Sequence, residues 1–253
     1  MLYLSKSNAN DGTRLSYILT RASNATQNEK IVIMLHGGPD GCKDGPNGIF
    51  IKLAESLCKE GIDSIRFDFT GEGESDGDYV NTTINSQKDD FYMIYDEVKR
   101  LGYKKIGIVG ESFGATCALG VYDNSFSAVV LLWPAIYLLD NCFAPYYQDP
   151  YKTQLKTLGH IIVGKKRVGD KFLKELIEID NLEKNVRQIQ APTLLIHGDT
   201  DEEVPYTQSI RAEKLLKHPK RLVIVRNGMH GLKRSHEQEL VIRETIKWLT
   251  TYM

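Results

Sequence analysis

Short apolar runs, each followed by a stretch with helical spacing, dominate the pattern of hydrophobic and polar positions along this chain. Runs that are only a few residues long and apolar throughout are typical of strands buried on both faces of a parallel sheet. The runs lie at residues 31–35, 64–69, 105–109, 128–132, 193–197 and 222–225. They predict a mostly parallel central sheet.

The stretches between these runs have the 3.6-residue spacing of amphipathic helices. The first apolar stripe ends shortly before Gly61, a residue type that commonly caps the C-terminus of a helix. The stripes consist of Phe50, Leu53, Ala54 and Leu57; of Phe91, Ile94, Tyr95, Val98 and Leu101; and of Ile242, Ile246 and Leu249. Strands that alternate with helices predict an α/β fold with helices on both faces of the sheet and right-handed crossovers.

The N-terminal part of the chain has a different pattern. Two strand-like segments, 2–5 and 15–19, flank Asn10-Asp11-Gly12, whose residue types favour a tight turn. We therefore predict that the chain begins with a β-hairpin, which would pair antiparallel within the sheet.

Residues 134–190 interrupt the alternation of strands and helices. The segment shows no convincing strand, it is rich in aromatic residues and prolines, and a helical pattern follows at 171–179. It is too short for a sizeable core of its own. We predict a single α/β domain, residues 1–253, into which residues 134–190 are inserted as a small cap. The aromatic residues in and beside it are expected to serve packing more than recognition: Trp133, Tyr137, Tyr146, Tyr147 and Tyr151.

Composition and charge exclude some classes of function. The chain has 253 residues, 42% of them hydrophobic and 26% charged, which is close to the average of soluble globular proteins. The formal net charge of −1 gives no overall attraction to nucleic acid, so no nucleic-acid partner is predicted. The basic run at 165–167 lies between glycines and is expected to be a solvated loop.

The apolar pattern and the cysteines of the sequence predict a cytoplasmic protein. No apolar run approaches the roughly 20 residues needed to span a bilayer, and residues 1–20 lack the layout of a signal peptide. The cysteines show no CxxC pair, and in a reducing compartment they are expected to be free, mostly buried thiols. They are Cys42, Cys58, Cys117 and Cys142.

The segment Gly110-Glu111-Ser112-Phe113-Gly114 matches the pattern G-x-S-x-G. It directly follows the predicted strand at 105–109 and directly precedes a helix-like stretch at 115–122. A nucleophile elbow requires this strand–turn–helix context, because the sharp turn lifts the serine hydroxyl clear of the sheet. Ser112 is therefore the predicted nucleophile; a plain glycine turn is the alternative interpretation.

A serine hydroxyl needs a general base, and that base needs a carboxylate to orient it. His230 follows the last predicted strand, and it is the best placed histidine for this role. Asp199 and Asp201 both follow the strand at 193–197. Open α/β sheets hold their sites beyond the carboxyl ends of strands, where these residues are expected. His197 ends a buried strand and is predicted to be a core histidine with satisfied hydrogen bonds.

The order of these motifs resembles that of α/β-hydrolases, and specifically of small bacterial carboxylesterases of the feruloyl (cinnamoyl) esterase group. The blocks that carry the resemblance are His36-Gly37-Gly38, residues 65–69 with the glycine-rich 71–77, residues 110–114, residues 197–201 with Val204-Pro205, and Gly228-Met229-His230. In that group the second aspartate of the acid block is catalytic. The resemblance therefore selects Asp201 and implies that Asp199 forms a turn.

The resemblance also implies an oxyanion hole made by the backbone N–H groups of Gly38 and Phe113. Two preformed donors of this kind contribute about 3 kcal/mol each to transition-state stabilisation. The alternative is that residues 37–39 form a flexible turn. Relatives often have a histidine before the nucleophile and an aromatic residue after His-Gly, whereas this chain has Glu111 and Gly38. These departures are expected to reshape the acyl pocket.

An acidic string after the second buried strand could suggest a metal site. Its interleaved glycines and the lack of an accompanying histidine favour a turn loop instead, so no metal and no cofactor are predicted. The string consists of Glu72, Glu74, Asp76 and Asp78.

These features predict a serine hydrolase that cleaves carboxylic esters of small-molecule substrates through an acyl-enzyme intermediate, with Ser112, His230 and Asp201 as the triad. A thioesterase or a peptidase with the same triad remains open, since the triad does not determine specificity. A non-catalytic ligand receptor on the same fold also remains open, as does a homodimer formed through an edge strand or the cap.

Overall fold

The computed structural model describes residues 2–5, 13–22, 28–140, 142–217 and 219–253, leaving aside the side chain of Ser5. The predicted turn at Asn10-Asp11-Gly12 lies outside these residues. The two segments beside it do pair antiparallel as a hairpin, as predicted.

The strands in the described ranges form an eight-stranded sheet and a separate two-stranded hairpin. The strands are β1 (Leu2–Ser5), β2 (Arg14–Thr20), β3 (Lys30–Leu35), β4 (Asp63–Phe67), β5 (Lys105–Glu111), β6 (Phe126–Leu132), β7 (His160–Val163), β8 (Lys166–Gly169), β9 (Thr193–Gly198) and β10 (Lys220–Val225). The large sheet has the order β1-β2-β4-β3-β5-β6-β9-β10. Only β1 and β2 run antiparallel to their neighbours, so the predicted, mostly parallel sheet is confirmed.

The central strands are apolar throughout because both of their faces are covered. In β3, Ile31, Ile33 and Leu35 face one hydrophobic cluster, whereas Val32 and Met34 face another. Successive side chains of a strand point to opposite faces, so a run with no polar break serves two cores at once.

Helices cover both faces of the sheet. They are α1 (Ile49–Lys59), α2 (Ile84–Arg100), α3 (Phe113–Val121), α4 (Tyr151–Leu158), α5 (Asp170–Ile179), α6 (Glu183–Gln188), α7 (Thr207–Leu215) and α8 (Ser235–Tyr252). Buried side chains of α1 and α8 share one cluster with the sheet, and those of α2, α3, α6 and α7 share the other. The α/β fold predicted from the sequence is therefore confirmed. Within the described ranges, no helix is both long and apolar enough to cross a membrane.

A third hydrophobic cluster joins residues 134–190 to the carboxyl ends of the central strands. Phe113, the first residue of α3, lies 5.3 Å in ring-centroid distance from both Phe143 and Phe172. The ring centroid of Tyr79 lies 6.1 Å from that of Phe172. Residues 134–190 therefore lie against the edge of the sheet where the predicted nucleophile is found.

The expectation that residues 134–190 contain no strand is wrong. β7 and β8 form an antiparallel hairpin there, and the basic run predicted to be a solvated loop contributes to β8. Lys166 donates to the carbonyl oxygen of Gly71 at 2.6 Å, and Arg167 pairs with Asp78. Strands of four residues leave too little periodicity to be recognised, and the partners of these cations lie almost a hundred residues away.

The cysteines are free, as predicted: Cys42, Cys58, Cys117 and Cys142. Only Cys117 is fully buried, and the other three are partly accessible. The expectation of mostly buried thiols is therefore correct for that residue alone.

Adjacent residues of α2 test whether the helix is held by its buried face. Phe91 is fully buried between Tyr95 and Phe126, whereas its neighbour Tyr92 is 46% exposed. We expect Phe91→Ala to lower the free energy of unfolding by about 3–5 kcal/mol, because it leaves a cavity. Tyr92→Ala is the matched control and should cost much less. Urea denaturation monitored by circular dichroism measures both, and equal losses would contradict this packing.

Candidate active site

Ser112 lies at the sharp turn between β5 and α3. Its backbone has φ of 51° and ψ of −119°, a conformation that costs a non-glycine residue energy and persists only where its surroundings enforce it. The Ser112 N–H donates to the carbonyl oxygen of Leu132 at 2.9 Å, and the Ser112 carbonyl accepts from Ala115 and Ala135. These bonds hold the residue in place from both neighbouring elements.

The glycines that flank the turn are required by close packing. A Cβ atom at Gly114 would lie 2.2 Å from the carbonyl oxygen of Leu35, at the end of β3. A Cβ atom at Gly110 would lie 2.7 Å from the carbonyl oxygen of Gly114. The motif therefore has a local physical explanation: only glycine lets α3 begin this close to the sheet.

His230 and Asp201 extend from Ser112 as a continuous chain of hydrogen bonds. His230 Nε2 lies 3.1 Å from Ser112 Oγ, and His230 Nδ1 lies 2.8 Å from Asp201 Oδ2. The residues predicted as nucleophile, base and acid are thus brought together from loops that follow β5, β10 and β9. In this geometry Nδ1–H donates to the carboxylate, which leaves Nε2 free to accept the serine proton.

Asp199 does not contact His230. Its Oδ1 accepts from the backbone N–H of Asn227 at 2.6 Å, and Thr200 donates to the carbonyl oxygen of Gly228 through both its N–H and its hydroxyl. These bonds join the loop after β9 to the loop that carries His230. The interpretation of Asp199 as a turn residue agrees with this contact.

Asp201 is a buried carboxylate surrounded by donors. Its Oδ1 accepts from the backbone N–H groups of Glu203 and Val204, at 3.0 and 2.8 Å. Its Oδ2 accepts from His230 and lies 3.2 Å from His197 Nε2. Burial alone would raise the pKa of Asp201, but the hydrogen bonds from His197 and His230 outweigh it and hold the pKa well below the ordinary range.

His197 is buried and fully hydrogen bonded, as predicted, but it also has a role that the sequence did not indicate. Its Nδ1 accepts from the Ser209 hydroxyl at 2.7 Å, and its Nε2 lies 2.8 Å from the carbonyl oxygen of Val204. The same nitrogen lies 3.2 Å from Asp201 Oδ2, the oxygen that also accepts from His230. His197 therefore helps to hold the Asp201 carboxylate in place and to lower its pKa.

The environment of His230 favours its protonated form. Burial of the ring lowers its pKa, but the hydrogen bond and the charge of Asp201, with the charges of Glu203 and Glu111, outweigh burial and raise the pKa above 6.5. Glu203 Oε2 lies 3.9 Å from Nε2, on the side of the ring that faces Ser112. Its side chain is largely exposed, so this effect is open to screening by salt.

The predicted oxyanion donors belong to two elements next to Ser112. Phe113 begins α3, and Gly38 lies in the loop after β3, where it lines the same cavity as Ser112 and His230. His36 braces this loop: its Nδ1 lies 2.6 Å from the carbonyl oxygen of Gly37, and its Nε2 accepts from the N–H of Phe69. Burial lowers the pKa of His36, in agreement with this neutral pattern of one donor and one acceptor.

The acidic string is a loop in which every carboxylate has a basic partner. The pairs are Glu72 with Lys166, Glu74 with Lys43, Asp76 with Arg14, and Asp78 with Arg167. The carboxylates are thus occupied by cations of the chain itself. Among the described residues, no group of three His, Cys, Asp or Glu side chains is arranged to hold a metal ion.

Two adjoining cavities open beside Ser112, and they share Gly38, Pro39, Ser112, Glu203 and His230 in their lining. The aromatic cavity has a volume of about 340 Å³ and is lined on one wall by residues of the 134–190 segment: Ala135, Cys142, Phe143, Pro145, Tyr146 and Val163. The polar cavity has a volume of about 280 Å³, with Asp40, Cys42, Glu203 and Lys233 among its lining residues. Of the predicted cap aromatics, Tyr146 lines the aromatic cavity, whereas Tyr147 donates to the carbonyl oxygen of Leu173. Residues of the 134–190 segment line only the aromatic cavity, whereas Asp40, Cys42 and Lys233 line only the polar cavity.

Residues 85–253, more than half of the sequence, match the pattern of the prolyl oligopeptidase family, Peptidase S9. The chain belongs to this family. The matched region contains Ser112, Asp201 and His230. Membership places the chain among hydrolases of the α/β-hydrolase type, the superfamily that its motifs resemble.

Known proteins of this fold include esterases and a thioesterase. The mitochondrial palmitoyl-protein thioesterase ABHD10 of Mus musculus is 28% identical over 207 residues, covering 78% of this chain and 68% of the relative. The structure of Est1E from Butyrivibrio proteoclasticus with ferulic acid bound aligns with a TM-score of 0.83 at 22% identity, over 100% of this chain and 99% of Est1E. At this identity the structural likeness establishes the shared α/β-hydrolase fold.

Glu203 provides a test of the electrostatics around His230. We expect Glu203→Gln to lower the pKa of His230, because it removes a negative charge 3.9 Å from Nε2. An NMR titration of the His230 ring measures the change. Glu202→Gln removes the neighbouring exposed carboxylate as a control and should have a smaller effect. Identical titration curves for wild type and Glu203→Gln would contradict the assigned role of this charge.

Proposed function

We propose that this chain is a serine hydrolase that cleaves carboxylic esters, with Ser112 as nucleophile, His230 as general base and Asp201 as the residue that orients the histidine. The observation that carries the proposal is the hydrogen-bond chain from Asp201 Oδ2 through His230 to Ser112 Oγ, at 2.8 and 3.1 Å. The strained backbone of Ser112 adds support, because strain of this kind concentrates at functional sites.

The first half of the reaction forms an acyl-enzyme. Ser112 Oγ attacks the ester carbonyl carbon while His230 Nε2 takes the hydroxyl proton, and the carbonyl oxygen becomes an oxyanion held by the N–H groups of Gly38 and Phe113. The tetrahedral intermediate then collapses, and the bond to the alcohol oxygen breaks. The alcohol leaves with the proton returned by His230.

The second half releases the acid. A water molecule gives a proton to His230 and attacks the acyl carbon, and the proton then passes to Ser112 Oγ as the carboxylic acid departs. Asp201 stays ionised throughout and stabilises the imidazolium that forms in each half, a role that fits its lowered pKa.

The two cavities support a division of the substrate. We propose that residues 134–190 act as a cap and that the aromatic cavity beneath them takes the acyl group. Its wall includes Phe143, Tyr146 and Val163, which suit an apolar acyl chain or an aromatic acid. The alcohol part of a small-molecule ester would then lie in the polar cavity, near Asp40 and Lys233.

A thioesterase is the second candidate. The observation that favours it is the 28% identity to a palmitoyl-protein thioesterase over most of this chain. The same serine, histidine and aspartate would serve either bond, so the choice depends on the acyl and leaving-group cavities. Comparing p-nitrophenyl esters with acyl thioesters of matched chain length distinguishes the two.

Removing the nucleophile is the first test. We expect Ser112→Ala to lower kcat for p-nitrophenyl esters by at least about 10,000-fold, since no acyl-enzyme can form. An ester series from acetate upward would also give the length of acyl chain that the aromatic cavity accepts. Residual activity within tenfold of wild type would exclude Ser112 as the nucleophile, and an inactive but folded wild type would exclude ester cleavage.

The raised pKa of His230 predicts the pH dependence. The base must be neutral to accept the serine proton, so kcat/KM should fall tenfold per pH unit below the His230 pKa. Because that pKa is raised, the acid limb should be centred above 6.5. Asp201, whose pKa is held low, should add no limb in the neutral range. Initial rates at constant ionic strength measure the profile, and a limb centred below 6.5 would contradict the described environment.

A further inference from the structure

Glu111 is a fully buried carboxylate directly before the proposed nucleophile. It ends β5, and its side chain lies between the loop after β3 and the residue after β6. Its Oε1 accepts from the backbone N–H of Gly37 at 2.5 Å, and its Oε2 accepts from the indole N–H of Trp133 at 2.8 Å. Each oxygen thus has its own donor, an arrangement that suits the ionised carboxylate.

Burying such a group costs energy unless its hydrogen bonds are satisfied. Burial raises the pKa of Glu111, and the bonds from Gly37 and Trp133 oppose that effect. A neutral apolar side chain would avoid the cost altogether. The buried carboxylate is therefore expected to position the two groups that donate to it, the Gly37 peptide and the Trp133 indole.

The contact with Gly37 fixes the oxyanion loop. Gly37 precedes Gly38, whose N–H is a proposed oxyanion donor, and the Gly37 N–H is held by Glu111. A Cβ atom at Gly37 would lie only 2.9 Å from Ser112 Cβ, so this part of the loop rests directly on the nucleophile. A shift of the Gly37 peptide therefore moves the proposed donor relative to Ser112.

The hydrogen bond from Trp133 to Glu111 fixes the indole ring that packs against His230. Trp133 has a positive φ of 36°, and its backbone N–H donates to the carbonyl oxygen of Ile196. Its indole meets the His230 ring edge to face at a centroid distance of 6.4 Å. Holding the indole N–H thus sets the position of an aromatic wall against the imidazole.

We propose that Glu111 is a positioning residue of the ester cleavage proposed above: its carboxylate holds the oxyanion loop through Gly37, holds the wall of His230 through Trp133, and stabilises the imidazolium with its charge. The inference rests on the proposed function. Asp40, Glu202 and Lys233 line the cavities beside His230. The negative charges that act on the His230 ring are those of Asp201 and Glu203 after β9 and of Glu111 on β5. Glu111 is the one that also contacts the oxyanion loop.

Glu111→Gln is the central variant. It keeps the size and shape of the side chain but removes its negative charge and one of its two acceptor oxygens. Its amide oxygen can accept from only one of the two donors, and its NH₂ group then faces the other donor's hydrogen. We expect kcat for p-nitrophenyl acetate to fall about 10- to 100-fold with KM little changed, since the loss falls on the transition state. The acid limb of the pH profile should move to lower pH.

Trp133→Phe is the second test variant. It removes the indole donor but keeps an aromatic ring against His230, and should lower kcat less than Glu111→Gln does. In the double variant the glutamine oxygen can accept from Gly37 without a donor clash at position 133. We expect the double variant to retain more activity than the product of the single losses predicts, which a purely structural role for Glu111 would not produce.

Two controls separate positioning from folding. Glu55→Gln removes an exposed carboxylate on α1 and should leave rates unchanged. Thermal unfolding of every variant shows whether kcat changes at constant stability. If Glu111→Gln unfolds, folded Trp133→Phe still tests the proposal, because a wild-type kcat together with an unchanged His230 titration in that variant would overturn it.

The proposal is overturned if folded Glu111→Gln keeps the wild-type kcat and acid limb, or if its loss is confined to KM. Strictly multiplicative losses in the double variant would also overturn it. NMR titration of His230 gives a readout that needs no substrate. If wild type hydrolyses no ester, the proposed function fails, and an unchanged His230 titration in Glu111→Gln would then overturn the role of Glu111 separately.

Discussion

The backbone of the elbow lies so close to the end of β3 that a Cβ atom at Gly114 would approach the Leu35 carbonyl oxygen to 2.2 Å. This contact brings the first turn of α3 onto the central strands, and the chain can meet it only by passing through the strained conformation of Ser112. The hydroxyl is thereby raised above the sheet. The loops after β3, β9 and β10 then need to reach only one point.

Three buried carboxylates hold those loops around that point, each by accepting hydrogen bonds. Asp201 fixes His230, Glu111 fixes Gly37, and Asp68 accepts from the backbone N–H and the ammonium of Lys43 and from the N–H of Glu74. Loops at a sheet edge carry unpaired N–H groups that backbone partners cannot all satisfy. Carboxylates supply two acceptors each, so they order such loops at the cost of desolvation.

Residues whose role depends on local chain geometry could be predicted from the sequence, whereas those that act across loops could not. The central strands and the elbow were recognisable because strand periodicity and the G-x-S-x-G context are local. The β7–β8 hairpin is not predicted because strands of four residues show too little periodicity. The pairing of Lys166 and Arg167 with the loop 72–78 is not predicted because the partners are far apart in the sequence. The contact of His197 with Asp201, and that of Glu111 with Gly37, likewise depend on tertiary distances that no spacing encodes.

The residues proposed for the reaction and the residues that line the substrate cavities are likewise held in different ways. Ser112, His230 and Asp201 stand on strand ends of a rigid sheet, so their distances follow from the fold. One wall of the aromatic cavity comes from residues 134–190. Contacts that tie this segment to the sheet include the Phe113 cluster and the pair of Lys166 with the buried Glu72. Burial raises the pKa of Glu72 to about 7. Residues 134–190 contribute none of Ser112, His230 and Asp201, so substitutions in this wall can change the cavity lining while those three side chains keep their contacts.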